Sequence, residues 1–427
     1  MKLLYTILFY IALPLILIRL IWRGIRSPNY WLRWPERFGR SAFLSDQTPV
    51  IWVHAVSVGE AEATRPLVKI LLVDYPEHQI LITTMTPTGS ARVQLLYGDV
   101  TSISHCYSPY DVSFAVKRFL KQTHPQFGII METEIWPMML LTCQQLNIPL
   151  VLANARMSER SAKGYSRFAV FTKTVLQSLH FIAAQTESDR QRFKQLGADI
   201  KKVHAIGNLK YEISLAMSLM EQATAMRIIW GSQRPIWIAA STHEGEEAMI
   251  LNAARQIRSA CPELLLIIVP RHPERFDKVS AISQKAGFKT LRRSENRPCP
   301  SDVQVLVVDT MGELPLFYAA SDIAFVGGSL VPVGGHNILE PAALGRPIIT
   351  GPHYFNFNDI TKQFLKADAA ILINNTEELA ETVIMLFKST AQRHNMGDAA
   401  LKIIANSQGA SKRLVNLIKR HITHHAQ

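Results

Sequence analysis

Carboxylates that close two strand-like runs, and a lysine near the middle of the chain, are the first residues whose types suit chemistry. In HAVSVGEAEATRPL, His54 to Leu67, an apolar run gives way to a helix-like one, so Ser57, Val58, Gly59 and Glu60 occupy a strand-to-helix turn. Gly59 lets the backbone approach a ligand. Glu60 stands near a helix N-terminus, where the dipole and free N–H groups favour an ionised carboxylate. Such a group can accept a proton from a hydroxyl; alternatively Glu60 and Glu62 do no more than complement the dipole. In IIMETEIWP, Ile129 to Pro137, Glu132 and Glu134 lie just past a buried strand. Glu132, the first polar residue after the run, is the better candidate, with helix capping as the alternative. In IGNLKYE, Lys210 follows a strand end and either neutralises a carboxylate or phosphate or is a solvated charge.

The second half carries denser signals. IIVPRHPERF ends a strand with Pro270 and Arg271, and the planar guanidinium fork suits a phosphate. DTMGELPLFYAASD places Met311, Gly312 and Glu313 in a turn before a helix, where backbone groups can read a nucleobase edge. In FVGGSLVPVGGHNILEPAALGRPIITGP, two Gly-Gly pairs flank a loop expected to be mobile. Asn337, Ile338, Leu339 and Glu340 then open a helix whose N–H groups predict an anion site, with Glu340 placed to accept bonds from ribose hydroxyls. The pattern reads as nucleotide binding. The chain has no DxD, Walker A or HExxH motif, so no metal is expected and charge on a leaving phosphate falls to arginine, lysine and helix dipoles.

The elements that must position these residues alternate. Candidate strands are Val50–Val53, Ile80–Thr84, Gly128–Met131, Leu150–Ala153, Phe181–Ala184 and Val203–Ile206, then Ile236–Ala240, Leu264–Val269, Val305–Val308, Ile323–Val326 and Pro347–Thr350. Between the first two, Ala63, Leu67, Ile70 and Leu71 mark one helix face. Strand–helix alternation predicts an α/β protein of two doubly wound, Rossmann-like domains facing across a cleft, with ligands at the carboxyl ends of parallel strands. The expected limits are 1–26 for an N-terminal membrane-anchoring helix, 27–215 for the first domain, 216–234 for a linker, and 235–427 for the second domain. The last helix of that domain is free to return to the first.

A net charge of +12 predicts anionic partners. Six arginines (Arg19, Arg23, Arg26, Arg33, Arg37 and Arg40) face a single acid, Glu36, in the first forty residues. They follow the uncharged apolar run Leu3 to Ile18. That run is a little short of the ~20 residues that span hydrocarbon, although Arg19 and Arg23 can extend it by snorkelling. Charge placed after the run, and no small-residue cleavage site, argue against a cleaved signal peptide. Spanning, lying in the interface and a buried core helix stay open; Pro14 would kink a spanning helix. If it is membrane-bound, the positive-inside rule puts the remainder in the cytoplasm. The four scattered cysteines have no CxxC pair and read as structural thiols in a reducing compartment. Nucleic-acid binding is disfavoured, because the basic residues are not interleaved with aromatics along a repeating surface.

In this order, HAVSVGEAEATRPL, TTMTPTGSAR, METEIWP, NARMSERS, STHEGEE, PRHPERF, DTMGELPLFY and GGSLVPVGGHNILEPA resemble the 3-deoxy-D-manno-octulosonic acid (Kdo) transferases of lipopolysaccharide assembly, which have the glycosyltransferase B fold. The resemblance implies CMP-Kdo as donor and a phosphorylated lipid A precursor (lipid IV-A) as acceptor. It implies inversion at the anomeric carbon without metal or cofactor, at the cytoplasmic face of a bacterial inner membrane holding anionic lipid. Glu60 would be the base, Glu132 and Lys210 would stabilise the transition state, and Pro270, Arg271, Met311 to Glu313 and Asn337 to Glu340 would bind CMP. The alternatives are a nucleotide-sugar epimerase of the same two-domain fold and a non-catalytic membrane-bound nucleotide-binding protein.

Overall fold

The structure, a computed structural model, describes residues 2–41, 48–213 and 215–422. Two compact units are present: the described residues up to Glu212 with those from Ser407 onward, and Ile213 to Asn406.

The first unit is built on strands β1 (Val50–His54), β2 (Gln79–Thr84), β3 (Ile103–Tyr107), β4 (Pro125–Met131), β5 (Leu150–Ala155), β6 (Phe181–Ala184) and β7 (Val203–Ala205). They form one seven-stranded sheet in the order β3-β2-β1-β4-β5-β6-β7. Every pairing is parallel. Helices cover both faces, so alternate residues of one strand enter different cores. Trp52 joins one core with Leu81, Ile130 and Leu152, while Ile51 and Val53 join the other with Ile82, Ile129 and Val151. That double coverage is why these strands read as unbroken apolar runs. Gly128 pairs with Trp52 on one side and Leu150 on the other. A Cβ there would lie 2.4 Å from Leu150 Cδ2 and 2.9 Å from the Trp52 ring, so only glycine leaves room for the fully buried indole. The helical pattern after β1 is realised as two helices, Val58–Ala63 and Arg65–Asp74. Pro66 sits at the start of the second, where its missing N–H costs nothing.

The second unit repeats the architecture with β8 (Ile236–Thr242), β9 (Leu265–Pro270), β10 (Thr290–Arg292), β11 (Val305–Val307), β12 (Ile323–Val326), β13 (Ile348–Thr350) and β14 (Ala370–Leu372). The order is β10-β11-β9-β8-β12-β13-β14, again all parallel. Three strands have no counterpart among those expected from sequence: β3, β10 and β14. Each is an edge strand, paired and covered on fewer sides, so its residues need not be uniformly apolar.

The stretch read as a linker contains the helix Leu219–Trp230, whose Ala223 and Trp230 enter the core of the second unit. The Trp230 ring stacks 6.3 Å from Phe317. The helix Ala410–His421 belongs to the first unit: Ala410, Leu414, Val415 and Ile418 pack in the same core as Leu67 and Leu71. Lys419 pairs with Asp74 at 3.0 Å, and Ser411 N donates to Glu212 at 2.6 Å. At the N-terminus one helix, Lys2–Arg26, runs uninterrupted through Pro14 and is long and apolar enough to cross a membrane.

Candidate active site

In the first unit β1 lies between β2 and β4, so the chain leaves the carboxyl ends of β1 and β4 in opposite senses along the sheet. Such a switch point leaves a crevice at the strand ends. Glu60 follows β1 and Glu132 follows β4. Both expected carboxylates therefore arise at adjacent strand ends.

Glu60 is locked by a reciprocal cap. Ser57 is the N-cap of helix Val58–Ala63; its Oγ accepts from Glu60 N at 3.3 Å and donates to Glu60 Oε1 at 2.9 Å. Val56 N donates to Glu60 Oε2 at 2.9 Å. These bonds favour the ionised form, but Glu60 is only 7 % exposed. Burial, the charge of Glu134 and that of Glu132 prevail and push its pKa up to about 7. A carboxylate poised there is half ionised at neutral pH and still basic enough to take a proton. Capping and proton acceptance are thus compatible, since the cap fixes the carboxylate's position.

Glu132 adopts φ 55°, a left-handed conformation that costs a non-glycine residue energy and clusters at functional sites. Its N–H is held by Ala153 O at 2.8 Å. Its Oε1 lies 2.6 Å from Lys210 Nζ. Glu134 instead accepts from Trp136 Nε1 at 2.6 Å, and burial raises its pKa.

The turn that carries Lys210 is held by three linked carboxamides that sequence reasoning did not single out. Asn154 Oδ1 accepts from Leu209 N at 3.0 Å, Gln185 Nε2 donates to Asn154 O at 3.0 Å, and Asn208 Nδ2 donates to Gln185 Oε1 at 3.1 Å. Asn208 Oδ1 also accepts from Lys210 N at 2.9 Å. They follow or end β5, β6 and β7, and their signal in the sequence was a polar amide closing each apolar run.

In the second unit Pro270 ends β9, and Arg271 N donates to Thr242 O at 3.0 Å across to the end of β8. The Arg271 side chain is exposed. Beside it is a histidine cluster that the sequence reading missed. His243 Nε2 and His336 Nε2 are 2.7 Å apart with rings stacked at 5.0 Å, and the His272 ring lies 5.2 Å from His243. Burial, then His243, Arg271 and His272, lower the pKa of His336 to about 4. One proton at most lies between the two facing nitrogens. These groups come from the ends of β8 and β9 and the loop after β12, and only folding assembles them.

The glycine loop differs from expectation. Its N–H groups are already occupied: the fully buried Glu246 carboxylate accepts from Gly328 N at 2.7 Å, Ser329 N at 3.0 Å, Leu330 N at 2.9 Å and His243 N at 2.9 Å. Gly334 N and Gly335 N both donate to Gly328 O, at 3.1 and 2.7 Å, in left-handed conformations of φ 113° and 74°. The two Gly-Gly pairs are thereby tied to each other and, through Gly328, to Glu246, which holds both ends of the loop expected to be mobile.

The helix that follows spans only Leu339–Ala343, and Asn337 Oδ1 already accepts from Leu339 N at 3.1 Å. One of the N–H groups expected to meet an anion at its N-terminus therefore already has an acceptor. Asn337 Nδ2 donates to Glu340 Oε1 at 3.1 Å, which aligns both side chains. Ile338 and Leu339 are each 1 % exposed, so neither side chain is open to a ligand. Met311 is 66 % exposed, Gly312 has φ 84°, and Glu313 is gripped by Arg293 at 2.8 Å and by Thr310. Among the described residues no group of three or more His, Cys, Asp or Glu side chains is arranged to hold a metal ion.

Residues 32–213 match the family model described as 3-deoxy-D-manno-octulosonic-acid transferase (kdotransferase), and residues 238–403 match glycosyl transferases group 1. The chain is 41 % identical over 420 residues to the 3-deoxy-D-manno-octulosonic acid transferase of Haemophilus influenzae, covering 98 % of each chain. It is 35 % identical to that of Bordetella pertussis, over 97 % of this chain and 98 % of the other. A UDP-GlcNAc 2-epimerase from Neisseria meningitidis superposes with a TM-score of 0.57 over 87 % of this chain and 100 % of the other. That pair is 14 % identical, a likeness of fold alone. With a near-full-length relative at 41 % identity and two α/β units of glycosyltransferase B type, the chain belongs to the family of 3-deoxy-D-manno-octulosonic acid transferases.

Proposed function

We propose that this Kdo transferase uses Glu60 as general base in a metal-independent, inverting transfer of Kdo from CMP-Kdo to a hydroxyl of a phosphorylated lipid A precursor. The observation that carries the assignment is a buried, doubly hydrogen-bonded carboxylate with its pKa near 7 at the switch point of the first sheet. Ionised Glu60 takes the hydroxyl proton as the acceptor oxygen attacks the anomeric carbon of Kdo. The bond from that carbon to the phosphate oxygen breaks, and CMP leaves with the electron pair. Lys210, held against Glu132, supplies positive charge where negative charge develops.

CMP-Kdo is assigned to the second unit, where Arg271 and the imidazoles of His243, His272 and His336 offer donors to its phosphate and carboxylate. Glu313, Asn337 and Glu340 are oriented by neighbours at hydrogen-bond distance and suit the nucleoside. The base lies in one unit and the donor residues in the other. The apolar helix Lys2–Arg26 and the basic residues that follow support work at a membrane of anionic lipid, with the enzyme on the cytoplasmic side by the positive-inside rule.

The test is transfer from CMP-Kdo, generated in situ, to the tetraacylated lipid A precursor, with wild type beside Glu60→Ala and with a chelator present and absent. Loss of about 10²–10⁴-fold in turnover with CMP binding retained is expected, and the chelator should change nothing. Equal activity of the two proteins would remove Glu60 as base.

A further inference from the structure

The helix Lys2–Arg26 does not stand free of the first unit. Along its length the partly or fully covered positions recur at helical spacing: Tyr5, Phe9, Leu13, Ile16, Leu20 and Gly24. Tyr5 Oη donates to Asp111 Oδ2 at 2.8 Å, and the Tyr5 ring lies 5.9 Å from Phe171. Phe9, Leu13 and Ile16 pack against the buried cluster of Tyr110, Val112 and Ala115. Asp111 is itself tied to the start of helix Pro137–Gln145, accepting from Met138 N at 3.0 Å and Met139 N at 2.7 Å. The docked stretch from Tyr5 to Leu20 is about 22 Å long at 1.5 Å per residue. It includes nearly all of the apolar run.

A second stripe, Leu4, Leu8, Ile11, Leu15, Ile18 and Trp22, keeps the same spacing and is between 49 and 67 % exposed. Phe168 and Val170, 57 and 78 % exposed at the start of the helix that carries Phe171, extend this apolar surface onto the body of the unit. Arg19, Arg23 and Arg26 gather at the carboxyl end, and the Arg26 guanidinium lies 4.2 Å over the Trp22 ring.

A helix docked in this way cannot cross a bilayer. Placing residues 3 to 18 in hydrocarbon would carry along the body of the first unit on which they rest, the segment Tyr110–Val112 and the start of helix Pro137–Gln145 included, together with its polar surface. An exposed apolar stripe closed by arginines and a tryptophan instead matches a bilayer surface of anionic phospholipid, with rings at the head-group level and guanidinium groups on phosphates. We infer that the helix lies in the plane of the membrane, with its inner face fixed to the first unit through Tyr5 and Asp111 and its outer stripe in the lipid, and that both ends stay on one side. The inference rests on the membrane reading above and sharpens it: the helix attaches in the plane of the membrane and does not cross it.

The experiment uses the full chain with a protease-cleavable tag before Met1. It compares inverted inner-membrane vesicles with spheroplasts, alongside the variant Leu8→Glu/Ile11→Glu/Leu15→Glu. The inference expects the wild-type tag to be cut in inverted vesicles and protected in spheroplasts. It expects the triple variant to move at least tenfold toward the soluble fraction with CMP affinity and thermal midpoint unchanged. A membrane-bound wild type whose tag is cut only in spheroplasts would overturn in-plane attachment and leave membrane work standing. A triple variant that stays membrane-bound would overturn the stripe as the contact. Wild type in the soluble fraction would remove the membrane reading itself, and a soluble dimer that buries the stripe would make a second copy its occupant.

Discussion

Lys210 Nζ lies 2.6 Å from Glu132 Oε1, joining the turn after β7 to the end of β4 across two intervening strands. Both side chains are partly solvated, at 31 and 23 % exposure. The pair therefore adds little to stability. Its value is positional: one charge of each sign is held near the carboxyl end of β4, next to the strand that leads to Glu60.

Replacing Lys210 by Met should lower kcat by about 10²–10³-fold, the cost of one preorganised electrostatic donor, while CMP binding and the thermal midpoint change little. Steady-state kinetics beside calorimetric CMP binding would check this. A mutant that loses CMP affinity in step with kcat would place Lys210 in donor binding instead.

The pH dependence of Glu60 has opposite signs for activity and stability. With Glu60 as the proposed base, kcat/KM should rise through about pH 7 and fall about tenfold per unit well below it. Stability runs the other way. With the folded-state pKa raised from 4.5 to about 7, the folded chain binds more protons than the unfolded one in that window, and stability is lost as pH rises through it. Glu60→Gln keeps the cap geometry without the buried charge. It should gain about 1–3 kcal/mol at pH 8 while losing turnover. Thermal melts of both proteins at pH 5 and pH 8 would show the gain only at the higher pH.

Gly128→Ala should destabilise the first unit by about 1–3 kcal/mol, because its Cβ would meet Trp52 and Leu150 within a packed sheet. Denaturant unfolding measures the loss. An unchanged midpoint would mean that the indole can shift without cost.

Glu246→Ala leaves three loop N–H groups and that of His243 without their acceptor. A loss of about 3 kcal/mol or more is expected, together with weaker CMP binding, since the same loop carries His336 and Asn337. Glu246→Gln should recover part of both. Binding that survives intact in a destabilised Ala variant would separate the loop from the donor site.

Much of this protein was legible before folding. Runs such as IIM at 129–131 and LLIIV at 265–269 read as strands buried on both faces, and their alternation with helical patterns predicts the two parallel-sheet domains observed. Glu60, Glu132 and Arg271 are candidates because a charged residue that follows such a run stands near the carboxyl edge of the sheet. Edge strands such as β10 and β14 lacked that signal, because half of their surroundings are solvent or loop. Tertiary structure alone decided the rest. Strand order placed the ends of β1 and β4 side by side, and it brought Lys210 to Glu132 across 78 residues of chain. It also filled the glycine loop with Glu246 and turned an apolar N-terminal run into a helix docked through Tyr5 on Asp111. Local patterning specifies which element a residue belongs to and which face it presents. Which distant residue meets that face is set by the order in which the strands pack, and no spacing along the chain encodes that directly.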